Sequence, residues 1–349
     1  MELSKVNHSM ITLAREARGL TQKQLAESLG VKQASVSKLE NGTLIVTEDL
    51  LVGLVKVLNY PAVFFTDNNN VYPLPLRFYR KHKTLSNSTL NVIKANLNVR
   101  RIQIQKLLTS IELPQSNLFS LEVDEVGSAK EVARVVRDKW KIPRGPIKNL
   151  TEIIEDNGII VVHVDIETSK FSGVSITTDN NANIIFINGN MPGDRMRFTL
   201  AHELGHIIMH SNSFSETIEL EADQFASEFL MPDEDIRNQF SKLNLEKLAT
   251  LKRYWKVSMQ ALLMKSEDVG KITERYYRYL WMQMGKFGYR TNEPIEVDVE
   301  KPSLLDEIIR VHLEELDYNI DEISHLTYNF KHEFIHLYLH DVGNMMMIK

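Results

Sequence analysis

Within RMRFTLAHELGHIIMH, residues 195–210, two histidines and a glutamate follow one another as H-E-x-x-H: His202, Glu203 and His206. No other feature of the chain restricts the local fold as strongly. On a helix, residues four apart project from nearly the same side, so both imidazoles reach one metal ion. The intervening glutamate then lies beside a metal-bound water, where it takes a proton and returns it to a leaving group. The run is amphipathic and is expected as a single helix. The pattern recurs near the end of the chain as HEFIHLYLH, residues 332–340, so two candidate metal sites have to be weighed.

The chain has no cysteine. Any zinc is therefore held by histidine and carboxylate, and a catalytic zinc needs a third protein ligand plus an open position. Downstream of the first motif lies SETIELEADQFASEFLMP, residues 215–232, which reads as an acidic helix. Glu219 and Asp223 are four apart and share a face. Glu219 can complete a His₂Glu site while Asp223 accepts the free ring N–H of a ligand histidine. Glu221 falls about 200° round from Glu219, so both cannot easily face the metal, and Glu216 is the weaker alternative ligand. His210 continues the histidine face and is expected beyond the ligand shell, near substrate or packed. The second motif has no such support: nine residues follow His340, with Asp341 their only acid. Its neighbours read as a helical hairpin, and one site, at 202–223, is expected.

Before the first motif, helices are expected over 128–142 and 147–157, the latter ending at Asn157-Gly158. IIVVHV, VSITT and NIIFIN read as strands, with Asn180-Asn181 marking a hairpin turn. Sheet followed by active-site helix is the arrangement a zinc peptidase needs, and an edge strand is available to take up an extended peptide. Residues 241–349 read as mostly helical. There ERYYRYLWMQMGKFGYR interleaves aromatic and basic residues; a packed amphipathic helix is preferred over a nucleic-acid platform.

The first 67 residues have a different character. SMITLAREARG ends at Gly19, and TQKQLAESLG opens with a capping box, Thr21 and Gln24, and stops at Gly30. ASVSKLENG continues as a further helix, and another is expected near 47–58. Two short helices joined by a tight glycine-containing turn form the helix-turn-helix reading. NNNVYPLPLRF closes this part as a linker, and from Ser86 to Ile111 apolar residues recur at helical spacing.

The charge is unevenly distributed. The net charge is −5; residues 1–67 carry seven Lys/Arg and seven Asp/Glu, whereas 68–111 carry eight Lys/Arg and no acid. The remainder carries 26 basic against 39 acidic residues. Such asymmetry suggests different partners for different segments. The basic bridge is either a connector with a solvated cationic face or a dimerisation or DNA-flanking helix. Apolar content of 43% over 349 residues leaves room for two or three domains. The start lacks a signal peptide and no run reaches transmembrane length, so a cytoplasmic protein without membrane contact is expected.

LTQKQLAESLGVKQASVSKLENG, residues 20–42, resembles the phage-repressor-like (Xre) helix-turn-helix family. The resemblance implies that Gln33, Ala34, Ser35 and Lys38 face the major groove of operator DNA. It implies phosphate contacts for Gln22 and Asn41, and a structural ion pair between Arg15 and Glu40. Gln and Lys on such a helix carry base-reading chemistry, and a homodimer on a two-fold operator is expected.

RMRFTLAHELGHIIMH, IELEADQFASEFLMP, LKRYWKVSMQALLMKSEDVG and GYRTNEP resemble the ImmA/IrrE metallopeptidases fused to an Xre domain. In that family E-x-x-A-[DN] supplies the third zinc ligand, which is Glu219 here, so Zn²⁺ and a protein partner, repressor or toxin, are implied. The expected fold is multidomain: an all-α helix-turn-helix domain (1–67), a basic linker helix (68–115), an α+β zincin-like metallopeptidase domain (116–240) and a helical C-terminal region (241–349). The expected function is a DNA-binding regulator with a zinc-dependent endopeptidase, Glu203 its catalytic base. The alternative is a non-enzymatic repressor or antitoxin whose metallopeptidase-like domain binds a toxin or senses a ligand.

Overall fold

The computed structural model describes residues 6–73, 85–111, 117–168, 170–210 and 217–339. Four cations of the basic bridge (Arg77, Arg80, Lys81 and Lys83), Glu216 and His340 lie outside the described residues. The chain divides into two compact units: residues 1–113 with 178–181 and 304–349, and residues 114–177 with 182–303.

The first unit begins with five helices, α1 His8–Ala17, α2 Gln22–Leu29, α3 Gln33–Glu40, α4 Glu48–Leu58 and α5 Ala62–Thr66. The capping box forms as expected: Thr21 Oγ1 accepts from Gln24 N–H, and Gln24 Oε1 accepts from Thr21 N–H at 2.9 Å. Each helix contributes one apolar stripe, and Met10, Leu25, Val36, Leu39, Leu54 and Phe64 are all fully buried.

Helix α6, Asn87–Leu107, packs on this bundle through Ala95, Val99 and Ile102. Several of its polar groups are turned inward. Arg101 is 1% exposed, donates to Asn70 O and Gln105 Oε1, and stacks on Tyr72 with 4.7 Å to the ring centroid. The Asn98 amide bonds both the N–H and the C=O of Tyr72. Among the described residues the basic bridge is therefore no plain solvated face, because part of its charge anchors the chain entering it.

The second unit opens with α7 Val123–Val126, α8 Ala129–Lys139 and α9 Leu150–Asp156, then β1 Ile159–Val164, β2 Gly173–Thr177 and β3 Asn183–Asn188. The strands follow the sequence reading, and Asn181 takes the left-handed conformation at φ 61°, which asparagine tolerates. The sheet order is β1-β3-β2, with β1 parallel and β2 antiparallel to β3. β2 is thus an edge strand of the described sheet. Helix α10, Gly193–Met209, lies against the sheet with Leu200, Leu204 and Ile208 in one core with Val161, Ile185 and Ile187.

Ion pairs fix the start of α10. Asp194 accepts from Lys252 Nζ at 2.6 Å, Lys252 also reaches Glu293 at 2.7 Å, and Arg197 pairs with Glu300. Burial of these charges is tolerated because each is paired and hydrogen-bonded. Helix α11, Ile218–Leu230, crosses α10 at Gly205, where a Cβ would meet the Phe225 ring at 3.0 Å.

The unit continues through α12 Asp233–Ile236, α13 Leu245–Trp255, α14 Met259–Asp268 and α15 Glu274–Lys286. The aromatic-basic cluster on α15 packs only in part. Leu280 and Met284 are buried and Tyr277 and Trp281 lie against the core, whereas Tyr279, Met282 and Phe287 face outward. No helix of the described residues is long and apolar enough to cross a membrane.

The chain then returns to the first unit as α16 Leu304–Glu314, α17 Ile320–Leu326 and α18 Lys331–Tyr338. Helix α18 carries the second H-E-x-x-H motif, and its glutamate is committed elsewhere: Glu333 pairs with Arg18 at 2.9 Å, while Phe334 and Tyr338 fill the interior. His332 and His336 are exposed, and the pair takes part in no metal-ligand cluster among the described residues. Near this helix Asp67 Oδ2 accepts from Lys106 Nζ at 2.7 Å and from the Tyr328 hydroxyl. Burial alone would raise the Asp67 carboxyl; the hydrogen bonds from Lys106 and Tyr328 outweigh it and hold the group below its ordinary value.

A depressed carboxylate stabilises the fold above the ordinary aspartate range, and that contribution is lost as pH falls through the folded-state value. Asp67→Asn is expected to lower the urea midpoint of the first unit at pH 7, with the difference from wild type shrinking on acidification. All three tryptophans, at 140, 255 and 281, lie in the second unit. Loss should therefore appear in far-UV circular dichroism and leave the tryptophan-fluorescence transition in place. A difference that grew toward low pH would contradict this account.

Candidate metal centre

Helix α10 is buried on both faces at the motif: His202 is 4% exposed, Glu203 3% and His206 2%. One turn of helix separates the two histidines, and their Nε2 atoms come within 3.1 Å. Gly205 removes the side chain that would hold α11 away. The first turn of α11 therefore sets Glu219 Oε2 3.4 Å from His202 Nε2 and Glu219 Oε1 3.3 Å from His206 Nε2. Among the described residues these three are the group able to hold a metal ion.

The dimensions test the fit. Zinc–nitrogen and zinc–oxygen bonds of about 2.0–2.2 Å in tetrahedral geometry require donor–donor edges of roughly 3.3–3.6 Å. The His202–His206 separation of 3.1 Å falls just below this range, and Glu219 presents one oxygen to each histidine at 3.3–3.4 Å, so either oxygen could supply the third donor. The Glu219 side chain remains 38% exposed, whereas both histidines are buried. Burial raises the Glu219 carboxyl, but hydrogen bonds from His202 and His206 outweigh it and hold it far below the ordinary range.

The surroundings orient each histidine. Asp223 Oδ1 lies 2.8 Å from His202 Nδ1. His206 Nδ1 lies 2.9 Å from His210 Nδ1, and His210 Nε2 lies 2.8 Å from Glu221 Oε2. Thr217 Oγ1 donates to the other Glu221 oxygen at 2.6 Å. Burial raises the Glu221 carboxyl, and the bonds from Thr217 and His210 more than offset this and lower it. Glu203 points to the sheet: its Oε2 accepts from both the N–H and the hydroxyl of Ser175 on β2, each at 2.9 Å.

The structure thus brings His202, His206 and Glu219 together, with Asp223 behind His202 and Glu203 bonded to Ser175 on the sheet. Sequence reasoning missed His210 and Glu221 as a linked pair. Its place on the helix turns Glu221 away from the metal and toward His210 instead. The spacing signal was present, since His210 stands four residues after His206 and Glu221 completes E-x-E-x-D. Ser175 carried no signal beyond lying in a strand.

On the first unit, Gln33, Ala34, Lys38 and Asn41 are exposed along and just beyond α3, and Ser35 and Gln22 are half-buried. Arg15 Nε donates to Glu40 Oε1 at 2.5 Å, Gln22 Nε2 donates to Glu40 Oε2 at 2.8 Å, and Gln33 Nε2 donates to Gln22 Oε1 at 3.3 Å. The network links the start of α2 to both ends of α3.

A helix-turn-helix bundle and a mixed sheet carrying a His-Glu-x-x-His helix define a regulator-like module joined to a metallopeptidase-like one. Family comparison agrees: residues 11–65 match the helix-turn-helix family, and residues 154–267 match the peptidase family described as the IrrE N-terminal-like domain. The chain therefore joins an Xre-type helix-turn-helix to a domain of the IrrE/ImmA-like peptidase family. No curated protein matches it. Among solved structures, Bacillus thuringiensis PlcR in complex with the peptide PapR7 and DNA is 16% identical, with 99% of this chain and 100% of that chain covered and a TM-score of 0.17.

The purified protein is expected to bind about one zinc per chain, the number a single His₂Glu site holds. His202→Ala, His206→Ala and Glu219→Ala should lose it, while His332→Ala and His336→Ala should keep it. Metal analysis of the five variants decides; the reverse pattern would move the site to α18.

Proposed function

We propose that the protein is a cytoplasmic, homodimeric transcriptional regulator whose first unit binds operator DNA and whose second unit hydrolyses a peptide bond in a partner regulatory protein. The observation that carries the peptidase reading is the juxtaposition at α10. Two imidazoles and the Glu219 carboxylate lie close enough to share one metal ion, and Glu203, which no ligand role requires, follows His202 on the same helix. Zn²⁺, held by His202, His206 and Glu219, would supply the Lewis acidity that polarises a scissile carbonyl and acidifies water. Glu203 would take the proton from the attacking water and deliver it to the leaving amine. Ser175 holds the Glu203 carboxylate through two donors, and Asp223 keeps the His202 ring turned. β2, an edge strand of the described sheet, offers main-chain groups to which an extended peptide would add as a strand. The same edge carries the base's anchor, so peptide and base would share one frame.

The DNA reading rests on Gln33, Ala34 and Lys38 being exposed on α3 while Val36 and Leu39 are buried beneath them. Gln33 and Lys38 would read base edges, with Ala34 and Ser35 lining the same face, and Gln22 and Asn41 would contact phosphates. Gln33→Ala with Lys38→Ala should abolish discrimination between operator and random duplex, each lost base contact costing about 1–3 kcal/mol. Low-salt affinity, which is largely phosphate-directed, should survive better. Footprinting of the double variant at the promoter checks this, and an unchanged footprint would unseat α3 as the reading helix.

Glu203→Gln separates a peptidase from a binding module. It preserves side-chain shape and leaves all three donors, so zinc content and DNA binding should match wild type. Cleavage of the target should fall about 10²–10⁴-fold, and the induced response in cells should fail with it. Normal regulation by this variant, with no cleavage lost, would favour a non-enzymatic repressor or antitoxin.

A further inference from the structure

The two ligand histidines are held differently. His202 meets a carboxylate directly, at Asp223, whereas His206 meets a second histidine that is itself bonded to a carboxylate. We propose that His210 and Glu221 are positioning residues that select the metal-binding tautomer of His206 through a directed chain of two hydrogen bonds; this rests on the metal-centre reading given above.

The argument is one of hydrogen count. In the neutral state each imidazole carries one N–H. For His206 Nε2 to offer its lone pair to a metal, the hydrogen must sit on Nδ1, which then donates to His210 Nδ1. His210 must accept there, so its own hydrogen sits on Nε2, facing Glu221 Oε2. The carboxylate can only accept, and this arrangement satisfies the contacts at His206 Nδ1 and at both nitrogens of His210; His206 Nε2 then turns its lone pair toward His202 and Glu219, where a metal cation would offset it. The opposite polarity puts the His210 hydrogen on Nδ1 and forces the His206 hydrogen onto Nε2, where it blocks the metal. It also leaves the His210 Nε2 lone pair against a carboxylate oxygen. Glu221 therefore biases His206 from two residues away, and Thr217 holds the carboxylate in place through its other oxygen.

Burial makes the choice firm. His206 is 2% and His210 5% exposed, and a mismatched pair in such surroundings loses its hydrogen bond without recovering one from water. Helix α11 thus serves all three histidines from its first turns: Glu219 toward the donors, Asp223 to His202, and Glu221 to His210. A carboxylate with no histidine relay, as at His202, reaches the same end by a shorter path.

The test uses the full chain. Zinc affinity is measured by competition with a chromophoric chelator, with circular dichroism and DNA binding as folding controls. Glu221→Ala and His210→Phe should each weaken zinc binding about 10–100-fold, the usual loss when a partner behind a ligand histidine is removed. His210→Gln, whose amide oxygen can accept from His206 Nδ1–H, should recover most of it. A second variant separates polarity from packing: Glu221→Gln keeps the side-chain shape but can donate to His210 Nε2, which reverses the chain, so it should weaken zinc binding at least as much as Glu221→Ala. Glu221 is the more exposed of the pair, so its variant keeps the test alive if His210→Phe fails to fold. Wild-type zinc affinity in both Glu221→Ala and Glu221→Gln would overturn the relay while leaving the metal centre standing. A wild-type protein that takes up no zinc would instead overturn the centre, and the relay with it.

Discussion

The candidate site depends on how closely α11 approaches α10. Two helices normally pack 8–10 Å apart, set by the side chains between them. Here the residue at the crossing is Gly205, and the Phe225 ring occupies the space a Cβ would need. Any larger residue would push α11 outward and carry its carboxylates away from the histidines. With the helices in contact, alternate acids of α11 serve different purposes: one reaches the donor triangle, and two orient the rings that form it. The sheet contributes the remaining constraint, since the edge strand β2 holds the Glu203 carboxylate at Ser175. The site is thus the meeting point of three elements, each rigid because its own contacts are buried.

Buried charge is what makes those elements rigid. The start of α10 is tied by Lys252 to Asp194 and Glu293, and by Arg197 to Glu300. Glu300 also accepts from the Leu150 and Thr151 N–H groups at the start of α9, where a helix leaves its donors unpaired. Such pairs add little net stability over apolar packing but are costly to break singly. Their effect here is geometric: they define where the metal-ligand helix begins and how it is turned. The first unit uses the same device around Arg101, Lys106 and Asp67, where cations of the basic helix hold the chain that precedes it.

Local features were legible in the sequence. The capping box at Thr21 and Gln24, the three strands, the Asn180-Asn181 turn and the two-histidine face of α10 each follow from nearest-neighbour chemistry or from periodicity. So does the choice of Glu219 and Asp223 as a pair, because helical spacing fixes which side chains share a face. The aromatic cluster on α15 was read only in part. Alternation of ring and charge does not say which rings meet the core, and Tyr279 and Phe287 turn outward. The pairing of His210 with Glu221 was not legible, because it joins two helices and depends on how they lie against each other.

What the sequence determined by itself is therefore the set of local units and the chemistry they can carry: a capped helical bundle, strands, and a helix with two imidazoles and a carboxylate in fixed order. These depend on interactions within a few residues, which composition and spacing encode directly. The tertiary structure alone decided the pairings across elements. It set Glu333 of the second H-E-x-x-H motif against Arg18, brought residues 304–339 back to the N-terminal helices, and gave Glu221 to His210. Such choices turn on distances of a few tenths of an ångström between packed surfaces, and periodicity along a chain carries no information about which surface will lie opposite.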